Sequence, residues 1–524
     1  MCLTRRVQAA SIRATVSTHE PTNPDASQRS PAPALFASNW TRLLPWAVAL
    51  AFVLGKLPTL FDPHTWDALS CYLPQARFLL EHSTDWDAYR TLPYLRPPVL
   101  TGSVAALLGL GASYAAVRVY LWLWALAGLF GTHRLARALG GDARVSILAM
   151  ALCAATPLYF AQAGLLQLDL AAAVLCIWAL VALIEGKTLA FVLCLSAAVL
   201  TKESSYYLCL PAALFLSQRA ADSLRPRDFF RLRVFVQTLP AAVPCLVLVG
   251  WLLVHRLLVG RLMGADHQDA LFSPDRIGSA LLHNFIEGGR LPLWLLAGLA
   301  LRAAWRTRKV PVLIVGLAAG LLPLCFAGHP PRYMILSLPP LCVLAARGLT
   351  ELPVRRQTLA TVLLFAWLGL GLRGGHWHSD SGDHLEANLA YRELIALHRD
   401  AARSLAAAQA HAVLSDFPME DVLRAPPAVG YLPAQVPVSW ANPRLDYAAL
   451  CRHDFLIEAD GGSVDAAKRL LAPRGALALY KELRPATPRG ILAALPWGRI
   501  DQRIAIYRIR CPESVGPSSS PSPR

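Results

Sequence analysis

The chain has 524 residues, 55% of them hydrophobic and only 16% charged. That balance, broken into many apolar runs, places it among membrane proteins rather than soluble ones. The net charge of +16 does not call for a nucleic acid partner, because many arginines lie in short segments between apolar runs, where basic residues set membrane topology.

Residues 1–42 are polar, rich in Ser, Pro and Thr, and carry Arg5, Arg6, Arg13, Arg29 and Arg42. This composition predicts a disordered cytoplasmic N-terminus rather than a cleavable signal. Apolar runs able to span follow at 43–61, 114–133, 144–160, 169–184, 188–200, 204–217, 233–254, 291–304, 310–327, 333–346 and 357–372. Several are shorter than the ~20 residues a bilayer asks for, so their ends must draw on flanking polar positions. The basic connectors 1–42, 134–144, 185–187, 218–233, 302–309 and 347–356 alternate with 62–113, 161–168, 201–203, 255–290, 328–332 and the tail from 373. Placing the basic set inside gives about eleven spans, with the N-terminus cytoplasmic and the tail outside. The alternation holds only if PVLTGSVAALLGLG, 98–111, does not cross. It is short and ends in glycines, which predicts a helix lying near the outer surface.

The outward connectors hold the polar residues of interest. In FDPHTWDALSCYLPQARFLLEH, 61–82, the apolar positions Leu69, Leu73, Ala76, Phe78, Leu79 and Leu80 predict an interfacial helix. Asp67 at its start is either a helix N-cap or an acid available as a base. Asp85 and Asp87 resemble a diacid metal pair, but such pairs are common in solvated loops. The sequence establishes no cofactor, and a divalent metal is left open. Asp169 opens the run 169–184, and an acid beside a membrane is a functional candidate as well as a candidate cap. Lys202 and Glu203 form an internal ion pair, or else Lys202 supplies a cation for a lipid phosphate. GHPPRYM, 328–334, places His329 and Arg332 on the side where the positive-inside rule disfavours arginine. The alternative for Arg332 is snorkelling from a turn made by two prolines. The connector 255–290 adds His255, Arg261, Asp266, His267, His283, Glu287 and Arg290, without zincin-like spacing.

The tail reads as a small α/β unit over 373–510. Residues 385–410 have helical periodicity, while AVLSDF, DFLIEA, ALALYKEL and IAIYRIR read as strands. Residues 511–524 have a disordered composition. Cys153, Cys176, Cys194, Cys209, Cys245, Cys325 and Cys342 lie in apolar runs, as small core residues do. The absence of C-x-x-C spacing argues against a cysteine zinc site. Cys451 and Cys511 lie in the polar tail and can pair if it is extracytoplasmic. The fold class expected is mainly α. It comprises about eleven transmembrane helices over 43–372 with interfacial helices in the first outer loop, plus a small C-terminal α/β extracytoplasmic domain.

The outer side thus collects acids, which can act as general bases, and cations, which can hold a phosphate leaving group. The order of the pieces resembles the GT-C superfamily of integral-membrane glycosyltransferases, in the branch of aminoarabinose-lipid A transferase and protein O-mannosyltransferase. WDALSCYLPQARFLLEH with the following DW, 66–86, resembles that family's first-loop acid, tyrosine, helix and GDW-like turn. LRPPVLTGSVAALLGLG, 95–111, resembles its KPPL segment, with Arg96 in place of the lysine. VRVYLWLWALAGLFGTHRLARALGG and TPLYFAQAGLLQLDLAAAV resemble the helices leading to a second acid, here Asp169. HPPRYMILSLPPLCVLAARGL, 329–349, resembles the late RY-x-L-P-x-x-P segment.

The resemblance implies inverting transfer of a sugar from a polyprenyl-phosphate-linked donor to a lipid, glycan or protein acceptor at the outer face of a bacterial inner membrane. Asp67 would be the base and Asp169 would orient acceptor or sugar. Arg96, Lys202 and Arg332 would hold the donor phosphate. The chain departs from the pattern at Trp66-Asp67-Ala68, where an Asp-Glu or Glu-x-Arg pair is usual. It departs again at Leu95, where an acid precedes the lysine. Both departures leave metal and acceptor open. Two competing readings are a transporter or flippase of lipid-linked glycans and a catalytically inactive scaffold of the same fold. The first would call for acids deep in spans and an internal repeat, which the sequence lacks.

Overall fold

The computed structural model describes residues 34–92, 94–222, 230–261, 285, 290–325, 331–372, 388–389, 391–416, 418–429, 431, 436–440, 446–459, 464–484 and 503–511. The predicted apolar runs lie on helices. These are α1 (Ala34–Lys56), α5 (Tyr114–Ala138), α6 (Ala143–Ala155), α7 (Pro157–Gln162), α8 (Leu168–Ile184), α9 (Thr188–Val199), α10 (Cys209–Asp222), α11 (Phe230–Val259), α12 (Leu291–Arg306), α13 (Val310–Cys325), α14 (Leu338–Thr350) and α15 (Val354–Gly371).

Among the described residues, Thr41–Thr59, Tyr114–Ala138 and Val234–Val259 are long and apolar enough to cross a membrane unaided. The other apolar helices are shorter, so the runs are seen as helices without fixing how many cross. One run, 144–160, is broken. Pro157 cannot donate to the ladder of α6, and Thr156 before it is extended, with ψ 126°. Another opens with a 3-10 turn, Glu203–Leu208, ahead of α10.

The helices share one apolar core built largely from α5, α6, α8, α9 and α14. α12 and α14 approach so closely that a Cβ on Gly348 would strike the Leu296 carbonyl. Small residues at such a crossing let helix backbones meet.

The connector after α1 is mostly helical. A π-helical turn (Ala68–Tyr72) runs into α2 (Leu73–Glu81), followed by α3 (Trp86–Tyr89) and α4 (Pro98–Gly109). Gln75 buries its amide between α2 and α4, donating to the Arg96 carbonyl at 2.9 Å and accepting from the Arg96 N–H at 2.9 Å. The expected helices of the first loop are therefore present. Asp85 caps α3, accepting from the N–H groups of Asp87 and Ala88 at 3.2 and 3.1 Å.

The tail contributes α16 (Tyr391–Ala407), α17 (Met419–Arg424), α18 (Tyr447–Leu450), α19 (Asp465–Leu471) and strands β1 (Val413–Ser415), β2 (Val438–Trp440), β3 (Phe455–Ala459), β4 (Leu477–Leu483) and β5 (Ile504–Ile509). The sheet order is β2-β1-β3-β5-β4, parallel through β2, β1 and β3 and antiparallel beyond. Four strands match the sequence reading. β2 does not, because three residues after a proline carry no period-2 signal. The tail is not a separate bead. Trp66, Leu69 and Tyr72 of the first loop share one apolar cluster with Tyr391, Leu394, Val413 and Ile457, and residues 44–524 form one compact unit.

Cys451, at the end of α18, is disulfide-bonded to Cys511 beyond β5, across 60 residues. Closing a loop of that length restricts the unfolded chain. Replacing both cysteines by serine should lower the stability of the tail by about 2–4 kcal/mol, measured as an earlier thermal transition that matches the reduced wild-type protein.

Candidate functional site

Four of the five predicted site residues meet. Arg332, in a 3-10 turn (Pro331–Leu336) packed on α8, donates from Nη2 to Asp67 Oδ2 at 2.6 Å. Its Nε lies 3.9 Å from Asp169 Oδ2. Lys202 forms a short ion pair with Asp169 Oδ1. The Asp169 side chain is 2% exposed, Lys202 13%, Arg332 14% and Asp67 25%. Two acids and two cations thus form one largely buried, charge-balanced chain. Neither the snorkelling reading of Arg332 nor the capping reading of the acids holds.

The backbone explains why. An N-cap residue is normally extended, but Asp67 is itself helical, with φ −52° and ψ −26°, and makes no capping bond. Its side chain is free to leave the helix axis and reach Arg332. Asp169 is inside the first turn of α8, whose cap position is Gln167. Trp66, just before Asp67, has φ 45°, a left-handed conformation that a bulky residue adopts only when its surroundings impose it. The π-helical turn after Asp67 is a second irregularity of the kind that gathers at functional sites.

Tyr333 was not singled out in the sequence, yet its ring lies 3.4 Å beneath Lys202 Nζ and 5.5 Å from the Arg332 guanidinium. It is an aromatic floor shared by both cations. The RY pair carries the signal that could have found it. Tyr72 is buried and has Asp67, Asp169, Arg96 and Arg332 as electrostatic neighbours. Burial first, and then Asp67, holds its phenol well above the usual range.

Arg96, the fifth predicted residue, lies to one side. It stacks 4.5 Å from the Tyr94 ring, and Tyr94 Oη donates to Glu203 Oε1 at 2.5 Å. Burial works against its charge, but Tyr72, Tyr94, Cys71 and Glu203 outweigh that and hold its pKa above the ordinary value. Arg96 faces a cavity of about 180 Å³ lined also by Gln75, Trp86, Tyr89, Trp251 and Leu258. The Val99 N–H donates to the Leu200 carbonyl at 3.0 Å, tying this segment to the end of α9 beside Lys202. His255 serves structure here, with Nε2 accepting from the Leu95 N–H at 3.3 Å and Nδ1 2.7 Å from the Arg261 carbonyl. His329, Asp266, His267, His283 and Glu287 lie outside the described residues.

Asp67 and Asp169 are each engaged by a cation, and no third His, Cys, Asp or Glu joins them in a metal-like group among the described residues.

The tail adds a carboxylate the sequence did not flag. α17 packs on the π-helical turn, and Asp421 on it feels Asp67. Its carboxyl is pushed up to about 6, by burial first, then by Glu420 and Asp67 against Arg424. A raised carboxyl pKa favours the folded state below the ordinary value of 3.8, and that contribution is lost as pH rises through about 6. Asp421→Asn, which cannot ionise, should therefore be more stable than wild type at pH 7.5, by about 3 kcal/mol. Thermal melts should show the gain shrinking toward pH 5.

No protein-family model and no curated protein matches this sequence. Solved structures do. ArnT from Cupriavidus metallidurans in the apo state aligns with a TM-score of 0.58 at 17% identity, over 90% of this chain and 98% of that one. The same protein bound to undecaprenyl phosphate aligns with a TM-score of 0.56 at 17% identity, again over 90% and 98%. The chain therefore has the GT-C fold, mostly helical with a small C-terminal sheet, and among the described residues three helices are long and apolar enough to cross a membrane.

Proposed function

We propose that this protein is an inverting membrane glycosyltransferase. It moves a sugar from a polyprenyl-phosphate-linked donor to a lipid, glycan or protein acceptor at the outer face of a bacterial inner membrane, with its tail on that side. The observation that carries this reading is the buried chain Asp67–Arg332–Asp169–Lys202. It sets a candidate base beside the cations that a departing phosphate requires. The ArnT structure with undecaprenyl phosphate makes a lipid phosphate the natural donor class.

In this mechanism Asp67 takes the proton of the acceptor hydroxyl as its oxygen attacks the anomeric carbon. The bond from that carbon to the phosphate oxygen breaks, and the electron pair leaves on the phosphate. Arg332 and Lys202, with Arg96 on the flank, stabilise the growing charge in a site of low dielectric. The proton on Asp67 then passes to the released lipid phosphate, so charge is the same before and after. Asp169 holds Lys202 and Arg332 in place and orients acceptor or sugar.

The test is direct. Purified protein in detergent is given a synthetic polyprenyl-phosphate sugar and an envelope extract. Mass spectrometry should find free polyprenyl phosphate and one added sugar on an acceptor. Movement of the donor across vesicles without its consumption would instead establish the transporter reading.

A further inference from the structure

The tail has no role in the mechanism above, yet its first helix grips the segment that carries Asp67. Arg392 on α16 makes a forked ion pair with Asp62, Nε to Oδ2 at 2.7 Å and Nη2 to Oδ1 at 3.3 Å. The same Nη2 donates to the Pro58 carbonyl at 3.0 Å. From the other side, fully buried Arg118 on α5 donates to the carbonyls of Asp62 at 2.6 Å, Pro63 at 3.2 Å, and Gly164. Asp62 is thus held by its carboxylate from the tail and by its carbonyl from the helical core. Four residues on, Trp66 adopts its left-handed φ of 45°. Its ring meets that of Tyr391, the neighbour of Arg392, edge to face at 6.5 Å, and Tyr391 is completely buried. Asp67 follows at once.

We infer that the tail is part of the catalytic scaffold, with Arg392 and Tyr391 as positioning residues that hold the Asp62–Trp66 segment so that Asp67 points at Arg332. A left-handed tryptophan relaxes unless something imposes it. The two residues in contact with the segment from the tail supply that constraint, one by charge and one by packing. A bidentate guanidinium–carboxylate pair fixes direction as well as distance. The hydrogen bonds of Arg392 go to the Asp62 carboxylate and the Pro58 carbonyl, so the tail acts on the base and not on donor binding.

This inference rests on Asp67 being the base, and its test separates the two claims. Arg392→Ala in the full chain should lower kcat about tenfold to a hundredfold, the range expected when a reacting group is misplaced by about 1 Å. Affinity for farnesyl phosphate, used as the probe for the donor phosphate, should stay within about twofold, because no donor contact is touched. Hydrogen exchange should rise at 62–72 and not in α8 or α14. The charge-swapped pair Asp62→Arg with Arg392→Asp should recover part of the lost kcat, which a merely damaged fold would not. If Arg392→Ala fails to fold, Arg392→Lys keeps the charge, loses the fork, and should show the same split in smaller measure. Unchanged exchange at 62–72, or farnesyl phosphate affinity falling in step with kcat, overturns the inference. Raised exchange at 62–72 in a chain that transfers no sugar even as wild type would leave the clamp standing and remove the function proposed for it.

Discussion

Asp67→Asn should abolish sugar transfer while the protein still inserts, folds and binds farnesyl phosphate. Asparagine is nearly isosteric and cannot take a proton, so the loss should be about 10²–10⁴-fold in kcat, the usual contribution of a positioned general base. Packing around Ala68, Leu69 and Tyr72 is untouched, and Arg332 keeps Asp169 within 3.9 Å. Thermal stability should therefore change little. Release of polyprenyl phosphate is the assay. Full turnover by this variant would end the assignment of Asp67 as base. Loss of turnover with loss of folding would be answered by Asp67→Ser, which is smaller and uncharged.

Lys202→Ala should be the most destabilising single change at the site. It leaves the carboxylate of Asp169, 2% exposed, without its hydrogen-bonded cation, with Arg332 Nε at 3.9 Å as the remaining ion-pair partner among the described residues. Breaking one side of a buried ion pair typically costs about 3–5 kcal/mol. Activity and stability should separate on repair. Lys202→Met combined with Asp169→Leu removes both charges, and should recover most of the stability with no recovery of transfer. The measurement is a set of melts in detergent beside the transfer assay. A lone Lys202→Ala variant as stable as wild type would mean that Lys202 is not what compensates the buried Asp169 carboxylate.

Much of the site could be read from the chain because charges at the ends of apolar runs are expensive to keep. Asp67, Asp169, Lys202 and Arg332 each stood out on that ground. Their pairing did not, since Asp67 and Arg332 are separated by 265 residues and nothing local joins them. Arg96 was grouped with the other cations, although it lies across Tyr72 in its own recess, because spacing along a chain carries no direction in space. Arg118 lies within an apolar run and was open to the same rule, but it fell inside a segment read as uniformly hydrophobic. Tyr391, Arg392 and Asp421 were out of reach. They occupy ordinary positions on amphipathic tail helices, and their meaning comes only from what α16 and α17 are packed against. The apolar runs foretold helices well and crossings poorly, since a helix such as α9 is too short to declare by itself whether it traverses the bilayer.

The Asp169–Lys202 and Asp67–Arg332 pairs differ in how soon they can exist during synthesis. Asp169 and Lys202 lie 33 residues apart, at the start of α8 and just beyond α9, which pack on each other as a hairpin. Once that hairpin leaves the ribosome, its acid and base can neutralise each other, so neither need be carried as a bare charge. The ion-pair partner of Asp67 comes 265 residues later. Asp67 must wait for Arg332, so that pair stays incomplete until most of the helical bundle has been made.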